Sequence, residues 1–377
     1  MTRAVLGRFA FPRIDWLLLL PALALSLIGI ITMHTFGGDE SFAPRQLLWV
    51  LIGVLAYGAA SIVDLRFLRR TSVVTMLYLF ALLLLILLVM FVDPIQGARS
   101  WFSLGTFTFQ PSDFAKLAVI ALLAKYFSRR HVEIRNFQHI LVSGAYAAAA
   151  ATLVLIEPDF GTAMIIFFLW LGMVLVSGIS KRHLLLVVIL AVGAVATLWY
   201  GGFADYQRTR ILTFLNPASD INGAGYNAYQ ATVAVGSGGL WGKGIGFGTQ
   251  SKLRFLPEYQ TDFIFAAFAE EWGFVGITLV LLLYALLFVR LVECARRAAT
   301  NFDTLFTIGV AVMIASHVAI HAGINLGLLP ITGTTIPFMS YGGSHLVVEF
   351  LALGVVSSLS RHLRVVARDS ANREYVG

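Results

Sequence analysis

The sequence predicts an all-α polytopic membrane protein: about ten transmembrane helices, cytoplasmic N- and C-termini, and a long extracytoplasmic loop between spans 7 and 8. Three observations predict it. The 377 residues are 58% hydrophobic and only 12% charged, with a mean hydropathy of +0.83, whereas soluble domains run to about 25% charged. Apolar runs of about 20 residues, the length that crosses a bilayer core, recur along the chain. In lipid only helices and closed barrels satisfy the backbone, and continuous apolar runs of this length mean helices.

The spans fall at about 16–34, 46–63, 72–92, 111–128, 137–156, 160–178, 183–200, 263–289, 304–326 and 340–360. The first follows Arg3, Arg8 and Arg13, as a signal peptide would. Its apolar run is too long for one, and no small-residue cleavage site precedes the next loop, so it reads as a retained span. The fourth, "QPSDFAKLAVIALLAKYF", is the least hydrophobic. With the N-terminus inside, the inner segments 1–15, 64–71, 125–136, 179–182, 290–303 and 361–377 hold 19 Lys and Arg, and the outer segments hold 7. That bias sets the orientation. Five of the outer seven lie in the loop 201–262, and long loops obey the rule poorly. The formal charge of +7 therefore reflects basic cytoplasmic loops, and no nucleic-acid partner is expected. A lone cysteine, Cys294, excludes an internal disulfide. The whole of 1–377 reads as one integral membrane domain.

Unusual polar residues gather at the outer face. "GARSWFSLGTFTFQPSDFAK" brings Arg99, Gln110, Asp113 and Lys116 to the outer end of span 4. "EPDFGT" places Glu157 and Asp159 at the tip joining spans 5 and 6. Asp262 opens span 8, and "PITGTTIPFMSYGGSH" covers the outer junction of spans 9 and 10. Ionisable groups in or beside spans are functional candidates, and their shared face points to one outward-facing site. Each also has a plainer reading. Asp113 and Lys116, at i and i+3, neutralise each other. Asp159 caps span 6, and Asp262 or Thr261 caps span 8. His317 and His321 have a chelating i,i+4 spacing but no third ligand in their segment. His345 and Glu349 read as a polar pair packing the bundle, and Glu270 and Glu271 as packing or pairing residues.

The loop 201–262 is rich in glycine, aromatics and basic residues, among them Arg208, Arg210, Lys243, Lys252 and Arg254. Its "AGYNAYQATVAVGSG" reads as an amphipathic surface helix. Glycine-rich turns beside Lys and Arg suit phosphate, but there is no nucleotide-binding G-x-x-x-x-G-K-[ST]. A loop of this length is usually functional.

The segments "GARSW…QPSDFAKLA", "EPDFGTA", "NPASDINGAGYNAYQATVAVGSGGLWGKGIGFGTQSKLRFLPEYQTDFIFAAFAEEWG" and "PITGTTIPFMSYGGS", in this order over nearly the whole chain, resemble the SEDS family of shape, elongation, division and sporulation proteins. "GTQSKLRFLPEYQTDFIFA" is more similar to its elongation branch than to its division branch. The resemblance implies a peptidoglycan glycosyltransferase of the bacterial cytoplasmic membrane that polymerises lipid II into glycan strands at the outer face. It implies a class B penicillin-binding protein as partner, beside the membrane lipids. The family's essential acid falls on Asp262, the fourth-span polar residues on Asp113 and Lys116, and the acid between spans 5 and 6 on Asp159. Many members carry Glu where this chain has Asp113, which implies a shorter reach to Lys116. A second basic residue commonly follows Arg99, where this chain has Ser100. His345 and Glu349 stand where members are usually small or apolar.

Glycan extension needs a base for a sugar hydroxyl and positive charge for the leaving pyrophosphate. Asp262 is the expected base. Lys116, Arg99, Arg208 and Arg210 are the expected donors, in that order, with Asp113 and Asp159 beside them and a divalent cation, Mg²⁺ or Mn²⁺, as an aid. No organic cofactor is expected, and the sequence points to no metal ligands. The competing reading is a lipid II flippase or transporter, which ten spans with polar residues also fit. Against it, the polar residues collect at one face rather than the midplane, and the two halves do not repeat. A third reading, a scaffold recruiting wall enzymes, gives Asp262 no special role.

Overall fold

The computed structural model describes residues 14–36, 42–93, 100–104, 107–129, 137–203, 205–216, 223, 225–253 and 255–374. The expectations for Arg99, Arg254 and the basic residues of 1–13 and 130–136 lie outside these. The predicted spans correspond to α1 (Trp16–Phe36), α2 (Ala43–Ile62), α3 (Thr71–Phe91), α4 (Pro111–Ser128), α5 (Phe137–Ile156), α6 (Phe160–Val176), α7 (Lys181–Thr197), α11 (Ile264–Arg296), α12 (Asn301–Asn325) and α13 (Gly343–Glu374). Among the described residues, eight of these are long and apolar enough to cross a membrane. The other two are α6, of 17 residues, and α4. The first turns of α4 carry Asp113 and Lys116, and Lys125 lies near its end. These charges are tolerable because α4 is wrapped by protein: it packs against α3, α5, α6, α12 and α13, and most of its residues are buried. The low hydrophobicity of this segment thus marks a helix facing other helices rather than lipid. By contrast α7 buries only Val187. The chain is a multi-pass membrane protein.

Helices α4 and α12 form the axis of the bundle. Around them α2 pairs with α13, α3 with α4, α5 with α6, and α1 with α11. The inner ends are tied by ion pairs. Arg69 grips Asp303 with two hydrogen bonds, at 3.1 and 2.7 Å. Arg290 bonds to Asp15 at 2.5 Å and to Glu293 at 2.6 Å.

The structure departs from expectation in four places. Span 8 is longer than predicted and broken at Gly273 (φ 63°, ψ −163°). There the loop that follows α9 (Tyr226–Ser237) crosses so closely that a Cβ on Gly273 would lie 2.3 Å from the Gly242 nitrogen. Second, beside the expected helix α9, the described residues of the long loop contain two more, α8 (Asp205–Leu215) and α10 (Thr249–Lys252). Third, α9 buries Ala231 and Ala234 and packs on α11 and α12, so it is docked rather than lying free on the surface. Fourth, "FSLGTFTF" forms a short antiparallel hairpin, β1 (Phe102–Leu104) with β2 (Phe107–Phe109), pairing Phe102 with Phe109. The apolar/polar alternation of its second strand explains it; the helical class is otherwise unchanged.

Candidate active site

The segment 330–342 runs without regular structure between α12 and α13, and the site is assembled around it. Below it, His317 and His321 on α12 aim their Nδ1 atoms at the carbonyls of Thr335 (3.2 Å) and Thr334 (2.7 Å). Their i,i+4 spacing holds a backbone rather than a metal. Beside it, α6 begins at Phe160 with Asp159 as its N-cap. The Thr162 N–H donates to Asp159 Oδ1 at 2.9 Å, as the sequence predicts. Gly161 then lies so near the segment that a Cβ there would come within 2.6 Å of the Thr332 carbonyl. Above it, the Ser340 hydroxyl donates to the Thr261 carbonyl (2.8 Å) and the Tyr341 N–H to the Gln260 carbonyl (2.8 Å). Gln260 and Thr261 directly precede Asp262.

Asp262 does not cap α11. The N-cap position is Phe263, with no side-chain cap bond. The amide of Ala266, in the first turn, is instead taken by Asn325 Oδ1 of α12 at 3.1 Å, while Asn325 Nδ2 donates to the Asp262 carbonyl at 3.0 Å. This corrects the capping expectation for both Thr261 and Asp262. Asn325 was not predicted; nothing near it in sequence signals a bond spanning 59 residues. The Asp262 carboxylate is left part-exposed, and among the described residues it forms no hydrogen bond or ion pair. Burial pushes it up to about 7, with neighbouring Glu258 adding to the shift and the Arg210 guanidinium opposing it. Asp159 is likewise raised by burial. Next to it, buried Glu157 rises to about 8.

From Asp159 the polar line runs inward. Gln110 Nε2 donates to Asp159 Oδ2 at 3.2 Å, and the Gln110 amide donates to Ser344 Oγ at 3.1 Å. Ser344 donates to Asp113 Oδ2 at 3.0 Å. Asp113 Oδ1 meets Lys116 Nζ at 2.9 Å, so the shorter acid still reaches the lysine directly. Lys116 also lies 3.1 Å from His317 Nε2. The predicted pairing of Asp113 with Lys116 is present, but these two residues belong to a larger network. His345 Nδ1 lies 3.1 Å from Asp113 Oδ1, so the expected polar pair of His345 and Glu349 also reaches across to α4.

Asp113, Lys116, Asp159 and Asp262 therefore converge around one segment. Arg210 joins them from α8, its Nη1 3.4 Å from the Ile331 carbonyl. It stands where two grooves meet: an apolar one along Phe160, Phe203 and Ile211, and one of about 180 Å³ along Phe214, Tyr229 and Leu329. Arg208, two residues earlier on the same helix, lines neither of these two grooves. Among the described residues no group of three or more His, Cys, Asp or Glu could hold a metal ion.

Glu270 and Glu271 are pairing residues, as the sequence suggests. Glu270 takes Lys243 at 2.7 Å and the Thr249 hydroxyl at 3.0 Å. Glu271 takes the Gly246 amide at 2.5 Å and the Thr35 hydroxyl at 3.3 Å. They pin the glycine-rich loop onto α11 and leave Asp262 as the uncommitted acid of its segment.

Comparison with known proteins gives the family. Residues 12–365 match the family model for the cell cycle proteins FtsW, RodA and SpoVE. Stage V sporulation protein E of Bacillus subtilis is 38% identical over 360 residues, covering 93% of this chain and 98% of its own. Peptidoglycan glycosyltransferase MrdB of Escherichia coli is 38% identical over 292 residues, 78% of this chain and 79% of its own. A solved chain, from work on the structural coordination of polymerization and crosslinking by a peptidoglycan synthase complex, superposes with a TM-score of 0.79 at 32% identity, covering 93% of this chain and 98% of its own. A helical membrane bundle that carries these motifs in this order, and matches the family model over nearly its whole length, belongs to the FtsW/RodA/SpoVE family of cell cycle proteins.

Proposed function

We propose that the chain is a peptidoglycan glycosyltransferase that polymerises lipid II at the outer face of the cytoplasmic membrane, with Asp262 as general base. One observation carries the reading. Asp262 is a part-exposed carboxylate at the outer face that neither caps a helix nor forms an ion pair among the described residues, and the Arg210 charge acts on it. A base must be free to take a proton, and its ordinary affinity should sit near the working pH; a group at about 7 does.

In the proposed reaction the 4-hydroxyl of the acceptor N-acetylglucosamine attacks the anomeric carbon of the donor sugar. The new C–O bond forms as the bond to the lipid pyrophosphate breaks. The hydroxyl proton passes to Asp262, and the bonding electrons leave with the pyrophosphate. Lys116 and Arg210 meet the charge that develops there. The two apolar grooves at Arg210 suit prenyl chains. A Mg²⁺ or Mn²⁺ ion would be held chiefly by the pyrophosphate, with few protein ligands. The relative named peptidoglycan glycosyltransferase and the synthase-complex chain support the activity and a partner that crosslinks. Assignment of that partner to the class B penicillin-binding proteins, and of the enzyme to elongation, follows the family resemblance.

The test is polymerisation of purified lipid II, with divalent cation and partner present, by the native chain and by Asp262→Asn. The Asn variant keeps the shape and removes the base, and should yield no glycan ladder on a gel. A folded Asn variant that polymerises normally overturns the assignment. Lipid II crossing vesicle bilayers without polymer would favour the flippase.

A further inference from the structure

Two buried ionisable side chains, His345 and Glu349, have no part in the reaction above. They lie one turn apart on α13 and are 7% and 2% exposed. His345 Nδ1 is 3.1 Å from Asp113 Oδ1, and its Nε2 is 2.8 Å from Glu349 Oε1. Both ring nitrogens thus face carboxylate oxygens, which only accept. The contact to Glu349 is a close approach rather than an aligned hydrogen bond. The His317 ring stands 5.0 Å from that of His345, held by Lys116 on one side and the Thr335 carbonyl on the other.

Glu349 has a second contact. Its Oε2 accepts the N–H of Phe338 at 2.9 Å. Phe338 has φ 64°, a left-handed conformation that a bulky side chain adopts at a cost, so this turn needs support from outside. The same turn contains Ser340. Its hydroxyl accepts the Ile336 N–H at 2.9 Å and donates to the Thr261 carbonyl at 2.8 Å. The contacts therefore run without a gap from Lys116 through Asp113, His345 and Glu349 to the 336–340 turn and on to the residue before Asp262. Ionisable groups follow one another along its buried part, and removing one leaves its neighbours without a partner in low dielectric.

We propose that His345 and Glu349 are positioning residues that set the spacing between Lys116, at the leaving group, and Asp262, at the attacking hydroxyl. The proposal rests on the reading of those two residues given above. A misplacement of about 1 Å between reacting groups can cost on the order of a hundredfold in rate. A brace joining the two groups therefore shows in kcat more than in substrate affinity.

The experiment compares Glu349→Leu, Glu349→Gln and His345→Leu in lipid II polymerisation, with the folded fraction measured by size exclusion. Glu349→Leu loses both contacts and should lower kcat about tenfold to a hundredfold, with KM within about threefold. Glu349→Gln keeps an acceptor for the Phe338 amide and should lie between that variant and the native chain. His345→Leu cuts the link to Asp113 and should match the Leu variant at 349. Native kcat in Glu349→Leu and His345→Leu overturns the proposal. So does a loss of folded protein with unchanged kcat per folded molecule, which makes the pair structural only. If Asp262→Asn is itself fully active, the base assignment fails; if it is inactive while Glu349→Leu is native-like, only the brace fails.

Discussion

The pH dependence of polymerisation is the sharpest consequence of the Asp262 environment. Burial and Glu258 raise its carboxyl to about 7, against Arg210. A base acts when ionised, so the rate climbs as pH rises through this value. The ionised fraction is about a tenth at pH 6 and about nine-tenths at pH 8, so kcat/KM should rise roughly tenfold across that interval. Arg210 and Glu258 are both exposed, so each acts through screened charge. Exposed charge pairs are worth about 0.2–1 kcal/mol, and 1.36 kcal/mol corresponds to one pKa unit. Arg210→Gln should therefore move the midpoint up by about 0.1–0.7 units, and Glu258→Gln down by a similar amount. The assay is initial-rate polymerisation at subsaturating lipid II, with each variant measured across the same buffer series. A flat profile, or two midpoints shifting in the same direction, would refute the reasoning.

Three further outcomes are expected. Lys116→Met strands Asp113, which is 2% exposed, at a cost of about 3–5 kcal/mol; adding Asp113→Asn should restore the melting temperature without restoring polymer. Gly273→Ala forces a side chain into a φ of 63° and within 2.3 Å of the Gly242 nitrogen. It should cost about 1–3 kcal/mol and speed tryptic cleavage at Lys243 as the loop lifts from α11. Glu157 binds its proton more tightly when folded, rising to about 8 from 4.5. Its stabilising contribution is full below the unfolded value and lost as pH rises through the folded one. Glu157→Gln should thus raise the melting temperature above pH 8 and leave it unchanged at pH 4, as read by differential scanning fluorimetry.

The spans were legible because bilayer thickness writes itself into apolar run length, and the caps and pairs local to one helix were legible because their spacing is fixed. Asp159 capping α6 and Asp113 meeting Lys116 are both of that kind. What the sequence hid were contacts between distant segments. "FAEEWGFVG" reads as unbroken helix, since nothing in it shows that another stretch of backbone crosses at Gly273. His317 and His321 had the right spacing but the wrong partner, because the 334–335 carbonyls are brought to them by the α12–α13 connection. Asp113 and His345 lie 232 residues apart, and no local rule pairs them. The hairpin at 102–109 is different: its alternation was readable, and the membrane setting masked it.

The distribution of buried charge bears on polymerase against transporter. A carrier has to open toward both sides, so charges at each mouth would have to exchange partners during the cycle. Among the described residues, two clamps join elements at the cytoplasmic ends: Arg69 with Asp303, and Arg290 with Asp15. Lys125 adds a bond to the Arg69 carbonyl. Opening that side would separate α1 from α11 and break part-buried pairs, whose loss is expensive. At the outer ends the acids are arranged differently. Asp113 is saturated, Asp159 holds a cap and the Gln110 side-chain amide, and the Asp262 carboxylate has no hydrogen-bond or ion-pair partner among the described residues. Inner-end clamps and an uncommitted carboxylate at the outer face suit chemistry on a substrate that approaches and leaves from the same side of the membrane. They do not suit a solute that has to pass through.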